Sequence, residues 1–303
     1  MAKVKVVVPK RTTGRSTQTS PSDGGVLDRI RPIGFNDDDS GIKIMLYGRS
    51  GTGKTTLWGT FPGRTMAIIC SGSDQPGELR SIDTVANRKR IEQVVLKTAD
   101  ELPELIQFLR TKRDTYDNVV LDHVSGYYDL VLRGVLGLDD ESVINKKFGA
   151  ITMQQYGEAF TTFKTNVRPL LGLPQNVVMI GQERTFGGAE DEGGNLDDAI
   201  KPTVGVSLSE KLTGWLNTTV DYLARTFIRE EVKTKKVRVA GEVVESRTKT
   251  GKIEYCLHVG PHPTFQTKFR MPGGVGETVI VNPTYDSIMA LIRGKSAADE
   301  TGE

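Results

Sequence analysis

The sequence contains few of the residues that build disulfide frameworks and metal centres. Among 303 residues there are two cysteines, Cys70 and Cys256, and three histidines, and neither type has the spacing of metal ligands. No apolar run approaches the length that spans a bilayer, and the apolar core within residues 1–9 is too short for a signal peptide. A disulfide-stapled domain, a zinc module and a membrane protein are therefore not expected, and a reducing cytoplasm is the expected location.

The sequence also lacks a strong charge imbalance. Forty Lys and Arg residues face 38 Asp and Glu residues, which gives a net charge of +2. A chain this close to neutral is not a polycation, so a surface for nucleic acid has to come from local segregation of charge. With 37% hydrophobic and 26% charged residues, the composition is typical of a soluble globular protein with one large or two small domains.

What the sequence does contain is a glycine-rich phosphate-binding motif. Residues 48–55, GRSGTGKT, match the P-loop pattern G-x-x-x-x-G-K-[ST]. The apolar run at 42–47 predicts a strand before the motif, and residues 55–59 predict a helix after it. Glycines allow backbone N–H groups to turn toward phosphates, and a helix N-terminus favours negative charge. We therefore expect this stretch to bind ATP together with Mg²⁺.

The motif assigns roles to individual side chains. Lys54 is expected to reach the β- and γ-phosphates, and the Thr55 hydroxyl is expected to ligate Mg²⁺. The predicted nucleotide-binding residues are those of the motif and the residue that follows it: Gly48, Arg49, Ser50, Gly51, Thr52, Gly53, Lys54, Thr55 and Thr56.

Strand and helix patterns alternate from residue 41 onward, which predicts an α/β fold with a mostly parallel central sheet flanked by helices. The buried strand around residues 116–122 ends in Asp122. Because ligands gather at the carboxyl ends of parallel strands, Asp122 is the candidate Walker B residue that holds Mg²⁺. The alternative is that Asp122 caps the following helix.

The two ends of the chain differ from the core in composition. Residues 1–40 are rich in Ser, Thr and Gly and begin with basic residues, so we predict a flexible arm, or alternatively a tether that docks on a neighbouring subunit or on nucleic acid. The predicted ATPase core covers residues 41–295, and residues 296–303 are a predicted disordered tail.

Residues 229–252 alternate valine with charged residues and predict a solvent-facing antiparallel β-hairpin toward the C-terminus of the core. This segment carries eight Lys or Arg residues against four Glu, a local net charge of +4. We expect it to contact the phosphates of single-stranded DNA. The residues predicted to make these contacts are Lys233, Lys235, Lys236 and Arg238.

With these parts identified, the chain resembles the RecA-like P-loop ATPases. It is more closely similar to small phage-encoded AAA-type nucleotide-binding proteins, some of which are single-strand annealing recombinases with a minimal RecA core. The resemblance covers about residues 41–293. It rests on the P-loop, the strand ending in Asp122, the strand ending in Gly181-Gln182-Glu183-Arg184, and the late segment Thr267-Lys268-Phe269-Arg270.

The resemblance implies further roles. Gln182 would sense the γ-phosphate and signal to a DNA-binding loop at 185–201, and Lys268 and Arg270 would reach the nucleotide of a neighbouring subunit in a ring or filament. Two features depart from the family. RecA-like ATPases usually carry a Glu just after the second strand, where it orients the attacking water. Here no Glu follows the second predicted strand, residues 65–70, in register, so Asp74 or Glu78 would have to take that role. The loop 185–201 carries five acidic residues, which repel phosphate.

Three functions are compatible with these observations. The first is an ATP-dependent protein that binds or anneals single-stranded DNA as a homo-oligomer. The second is a partner-stimulated remodelling or motor ATPase, such as a helicase loader or a packaging accessory. The third is a nucleotide-gated assembly protein with little catalysis, which the missing Glu favours.

Overall fold

A computed structural model describes most of the core. The predicted arm, the predicted tail and Asp74 lie outside the described residues. For Glu78, Arg80 and residues 234–239 and 242–247 only the course of the backbone is described. The described residues are 41–70, 78–82, 89–112, 114–138, 151–187, 202–239, 242–271, 273, 274, 276 and 278–294.

The elements of the described chain follow the predicted alternation. The strands are β1 Lys43–Tyr47, β2 Thr65–Ile69, β3 Ile91–Val95, β4 Asn118–Asp122, β5 Asn176–Gly181, β6 Glu183–Phe186, β7 Thr203–Val206, β8 Tyr222–Val239, β9 Glu242–Val259, β10 Lys268–Phe269 and β11 Thr278–Val281. The helices are α1 Lys54–Trp58, α2 Glu101–Thr111, α3 Val124–Val135, α4 Met153–Leu171, α5 Glu210–Thr219 and α6 Tyr285–Ile292, with a 3₁₀ turn at Glu78–Ser81.

Among the described residues, nine strands form one sheet in the order β11-β9-β8-β1-β5-β4-β2-β3, with β10 pairing with β8. The strands from β8 to β3 run parallel, and β9, β10 and β11 run antiparallel to their neighbours. The predicted α/β fold class, a mostly parallel central sheet flanked by helices with antiparallel strands toward the C-terminus, is confirmed. Because β5 lies between β1 and β4, the end of β5 lies between the P-loop and Asp122.

The central strands are apolar on both faces because helices cover both sides of the sheet. Along β1, Met45 and Tyr47 belong to one core layer, and Ile44 and Leu46 belong to the other. Helices α2, α3, α4 and α5 pack in the first layer, and α1 and α6 pack in the second. The sheet is therefore fixed between two apolar layers, and its carboxyl edge remains available for a site.

The predicted hairpin is present and is longer than expected. Strands β8 and β9 each have 18 residues and pair antiparallel from Arg225↔His258 to Val239↔Glu242. The sequence pattern predicts separate core strands at 220–228 and 253–259, but each continues without interruption into the hairpin. An irregularity in the pairing lies between Glu230 and Val232, close to the predicted start of the hairpin.

Candidate nucleotide-binding site

A cavity of about 520 Å³ lies at the carboxyl end of the central strands. Four residues that the sequence assigned separately to nucleotide and metal, Lys54, Thr55, Asp122 and Gln182, line it together. The described lining residues are Ser50, Gly51, Gly53, Lys54, Thr55, Thr56, Ser81, Asp122, His123, Ile180, Gln182 and Tyr255. The strand order explains this convergence, since β1, β5 and β4 are neighbours and all end at this edge.

The P-loop has a backbone conformation that requires glycine. Gly51 and Gly53 have φ angles of 78° and 83°, in the left-handed region that other L-residues rarely adopt. At Gly48 an added Cβ would collide with the backbone oxygen and the hydroxyl of Thr226 on β8. Helix α1 has only five residues, so its dipole adds less than the sequence argument assumes. Binding of the predicted phosphates would therefore depend mainly on the N–H groups of the loop and on Lys54.

Lys54 is buried and its ammonium group folds back onto its own loop. Nζ donates hydrogen bonds to the carbonyl oxygens of Gly48 at 2.9 Å and Arg49 at 2.7 Å. Burial lowers the pKa of Lys54, and the nearby carboxylates of Asp122 and Glu183 oppose that shift. A phosphate oxygen is a stronger acceptor than a carbonyl, so a triphosphate in the cavity can replace these two acceptors.

Asp122 is buried at the end of β4, and the residue after it caps the next helix. Nδ1 of His123 accepts a hydrogen bond from the Gly126 backbone N–H at 2.9 Å, which makes His123 the N-cap of α3. The alternative role of Asp122 as a helix cap is therefore not observed. His123 therefore has a local hydrogen-bonding role, and Asp122 lines the cavity.

The donor set at the cavity fits Mg²⁺. Thr55 offers a hydroxyl oxygen and Asp122 a carboxylate, and Mg²⁺ prefers oxygen ligands, of which the protein commonly supplies one or two. In the part of the chain that the structure describes, no group of three or more His, Cys, Asp or Glu side chains is arranged to hold a metal by itself. Thr55 and Asp122 would thus share the ion with phosphate oxygens and water.

Glu183 links the P-loop to two strands, and no sequence motif indicates this role. Its carboxylate is mostly buried and accepts from Arg49 Nε at 2.8 Å and from Arg225 Nε at 3.0 Å. The preceding residue, Gln182, is fixed through its backbone carbonyl, which accepts from the Ser207 N–H at 2.7 Å. These contacts hold the predicted γ-phosphate sensor beside the P-loop.

Thr226 of β8 provides a second link to the P-loop. The hydroxyls of Thr52 and Thr226 lie 2.7 Å apart, and the Thr52 hydroxyl also donates to the Arg49 carbonyl at 2.8 Å. The Thr226 hydroxyl is 3.3 Å from the Tyr47 carbonyl, at the start of the loop. Strand β8 is therefore hydrogen-bonded to the loop that surrounds the predicted phosphates.

Lys268 and Arg270 do not join the cavity of their own chain. β10 pairs with the first residues of β8, toward the amino end of the sheet. There, Lys268 Nζ donates to the carbonyls of Asn217 at 2.8 Å and Val220 at 2.5 Å, at the end of α5. Arg270 pairs with Asp221 at 2.8 Å. Their role on the nucleotide of a neighbouring subunit stays a prediction.

The carboxylate that would activate water also stays a prediction. Asp74 lies outside the described residues, and Glu78 begins the 3₁₀ turn Glu78–Ser81, whose last residue lines the cavity. Glu78 thus belongs to the same turn as the lining residue Ser81. Only the course of its backbone is described.

The described charges of the hairpin are unevenly distributed. Near its base, Arg229 pairs with Glu254 at 2.8 Å and Lys249 pairs with Glu230 at 3.2 Å. Lys233 is exposed on β8 beyond these pairs. Lys235, Lys236 and Arg238 lie further along the same strand, where only the backbone is described. The predicted loop 185–201 begins within β6, which pairs with β7, and residues 188–201 lie outside the described range.

Comparisons with known proteins place the chain in a family. No protein with a curated description matches the sequence. Among similar solved structures is the flagellar accessory protein FlaH from Methanocaldococcus jannaschii, with 12% identity and a TM-score of 0.36 over 80% of this chain and 87% of that one. That likeness is too weak to support a functional conclusion. No described helix is long and apolar enough to cross a membrane. The AAA_24 family profile, described as an AAA domain, matches residues 40–271. The protein belongs to this family.

Proposed function

We propose that the protein binds ATP with Mg²⁺, hydrolyses it slowly, and uses the nucleotide state to control binding or annealing of single-stranded DNA by the β8–β9 hairpin in a homo-oligomer. The observation that carries this proposal is the continuity of two strands. Strands β8 and β9 supply Thr226 and Tyr255 to the P-loop region and then extend, unbroken, into the basic hairpin. Membership of an AAA-domain family supports the ATPase part.

The cavity supports Mg²⁺-dependent hydrolysis through Lys54 and Thr55 at the start of α1 and Asp122 at the end of β4. Lys54 would neutralise charge on the β- and γ-phosphates, and Thr55 and Asp122 would position the metal, which supplies Lewis-acid stabilisation of the transferred phosphoryl group. Gln182, between the loop and Asp122, would contact the γ-phosphate or the attacking water. Slow turnover is expected because the role of activating water would fall to Asp74 or Glu78. The Glu that RecA-like ATPases carry in register after the second strand is missing here.

The coupling would run through hydrogen bonds that end on the P-loop. When Lys54 exchanges the carbonyls of Gly48 and Arg49 for phosphate, the loop segment held by Thr226 and Glu183 loses two of its contacts. Thr226 lies in β8, so a displacement of the loop acts directly on a strand of the hairpin. Recombination by annealing, of the kind found in phage proteins with a minimal RecA core, is the form of activity that fits a nucleotide-controlled single-strand surface best.

A second candidate function is a remodelling or motor ATPase that acts on a protein partner. It is favoured by exposed apolar side chains on the hairpin, of which Val232 is 48% and Ile253 57% exposed. Exposed apolar groups beside cations suit a protein partner as well as a nucleic acid. A nucleotide-gated assembly protein would show the same surface but little turnover.

The test measures ATP turnover and oligo-dT binding at several salt concentrations. Replacing Lys233, Lys235, Lys236 and Arg238 by Gln should weaken oligo-dT binding and reduce the salt slope by up to about three units, because each phosphate contact contributes roughly 0.7. The matched control replaces four exposed cations on the helices or directly after one by Gln: Arg110, Lys112, Arg168 and Lys211.

The outcomes separate the candidate functions. Turnover stimulated by oligo-dT in the parent and control proteins, and lost in the hairpin variant, supports the proposal. An unchanged salt slope in the hairpin variant rejects the hairpin as the DNA surface. Turnover that ignores oligo-dT but rises with a protein partner selects the remodelling function. The Asp122→Asn variant should still bind ATP but hydrolyse it much more slowly than the parent. Its residual turnover is the background above which turnover by the site is measured.

A further inference from the structure

We propose that Tyr255, together with Ile228 and Ile253, forms the platform on which the purine base of the bound nucleotide stacks. The platform is defined by these three residues, which lie on β8 and β9 beside the P-loop. The inference rests on the proposed function in one respect, that the cavity takes a nucleoside triphosphate; it is independent of hydrolysis and of DNA.

Tyr255 is placed where a base would leave the phosphate cavity. It is the only Phe, Tyr or Trp among the described lining residues. Its ring lies against the P-loop, since a Cβ added to Gly53 would be 3.0 Å from Cδ1 of Tyr255 and 3.6 Å from Cε1. The ring therefore flanks the loop directly before Lys54, and a nucleoside attached to phosphates in that loop has to pass or contact it.

The strand register places the other two residues on the same face. Ile228 is directly opposite Tyr255, and Ile253 is opposite Glu230. Thr226, two residues before Ile228, is hydrogen-bonded to Thr52 of the P-loop. Because side chains two apart on a strand share a face, Ile228 faces the P-loop side as Thr226 does, and its cross-strand partner Tyr255 does too.

The platform is exposed although its side chains are apolar. Ile228 is 49%, Tyr255 46% and Ile253 57% exposed, whereas the side chains of the same two strands nearer the core, such as Leu257, are buried. An aromatic ring flanked by two aliphatic side chains is a surface on which a base can stack, because every base has a π-face. Its position next to the P-loop favours the base of the nucleotide over other ligands.

The chemistry defines what the platform can distinguish. Stacking separates a nucleotide from a bare polyphosphate, because only the nucleotide has a base to cover the ring. It favours the larger ring system of a purine over a pyrimidine, and it does not by itself separate adenine from guanine. The competing occupant of the same surface is a second copy of the chain, which would cover Ile228 and Ile253 in an oligomer.

The experiment compares ATP with inorganic tripolyphosphate as ligands of the full chain, by titration calorimetry. Tyr255→Ala should weaken ATP binding about tenfold or more and leave tripolyphosphate binding unchanged. Tyr255→Phe, which keeps the ring, should bind ATP as the parent does. The matched control is Tyr156→Ala on α4, because Tyr156 is exposed to nearly the same extent, 44%, and is not among the described lining residues of the cavity.

Each other outcome overturns the proposal. Equal weakening of ATP and tripolyphosphate in Tyr255→Ala would show that the ring shapes the P-loop rather than holding a base. Unchanged ATP affinity, with or without weaker self-association in sedimentation experiments, would assign the platform to a subunit contact or to none. Failure of the parent protein to bind either ligand would reject the proposed function and this inference together. Thermal unfolding of all variants checks that each is folded.

Discussion

Two lysines near opposite ends of the same sheet make the same kind of contact in different surroundings. At the carboxyl end, Lys54 donates to two carbonyl oxygens of the P-loop. Toward the amino end, Lys268 donates to three carbonyl oxygens around the end of α5. Burial lowers the pKa of both ammonium groups. The P-loop motif predicts that Lys54 acts on a nucleotide, and the family resemblance implies the same for Lys268.

The two lysines differ in the kind of carbonyl group that accepts their hydrogen bonds. The last carbonyls of a helix lack partners within the helix, and a cation there both satisfies them and complements the helix dipole. Lys268 meets that requirement at α5, and its neighbour Arg270 is paired with Asp221. The carbonyls that hold Lys54 belong instead to a loop beside a cavity with Asp122 and Gln182. A buried lysine points to ligand binding when its acceptors can be exchanged for those of a ligand.

The largest expected effect is on the lysine of the P-loop. Lys54→Ala should weaken ATP binding about 100-fold, because a charged hydrogen bond to phosphate contributes roughly 1.5–3 kcal/mol. Calorimetry with ATP and Mg²⁺ measures this loss, and Lys268→Met serves as the control that removes a lysine elsewhere on the sheet. ATP affinity that stays at the parent value in Lys54→Ala would reject the P-loop assignment.

The next effect should fall on stability instead of binding. Lys268→Met removes the donor from three carbonyls, so the free energy of unfolding should fall by about 1–3 kcal/mol while ATP affinity is retained. Urea unfolding gives the first quantity, and Lys268→Arg should recover part of the loss. A variant as stable as the parent would contradict the helix-end role.

A mixing experiment can test whether Lys268, like Lys54, acts on a nucleotide. If Lys268 and Arg270 act on a neighbour's nucleotide, Lys268→Ala/Arg270→Ala protein binds ATP but hydrolyses it poorly, and Lys54→Ala protein restores turnover by supplying intact cations in trans. Rescue between co-assembled, folded variants would give Lys268 a catalytic role beside its structural one. Turnover that stays low would restrict both residues to their own chain.

Local patterns in the sequence predicted much of the fold, because they report local forces. The sequence predicts a helix over about residues 153–171 and a strand over 176–181, and both match α4 and β5 in the structure. Helix α4 begins with a capping box at Thr152, and β5 is a short apolar run. In the sequence, the change of pattern at Arg229 indicates a boundary between strand and hairpin. It reflects instead the point at which one continuous strand leaves the core and its side chains meet solvent.

From the sequence, only those site residues that belong to a recognisable motif could be predicted. Lys54, Thr55 and Asp122 have recognisable surroundings, and the structure brings them to one cavity. Arg225 and Tyr255 lie near the P-loop because β8 pairs with β1 and β9 pairs with β8. Glu183 lies there because it follows β5, the other neighbour of β1, and no spacing in the sequence carries that strand order. Lys268 and Arg270 are the reverse case. Their spacing identifies a basic strand, but it does not predict the carbonyls to which Lys268 donates or the carboxylate that pairs with Arg270.

The smallest effect concerns a third lysine, Lys43, at the start of β1. Its Nζ donates to the carbonyls of Leu173 at 2.7 Å and Gln175 at 2.5 Å. Burial lowers its pKa from 10.5 to about 8, against the opposing charge of Asp221. Between these values the unfolded chain binds more protons than the folded one, so stability should rise with pH across this window.

The expected gain from Lys43 is about 1 kcal/mol between pH 8 and 9. Other groups also titrate in this range, so the measured quantity is the difference in unfolding free energy between the parent protein and Lys43→Met at each pH. That difference should shift in favour of the parent as the pH rises. A difference that does not change with pH would mean that the two carbonyl acceptors hold the ammonium form as firmly as water does. Lys43 would then be a charged lysine that backbone oxygens satisfy fully.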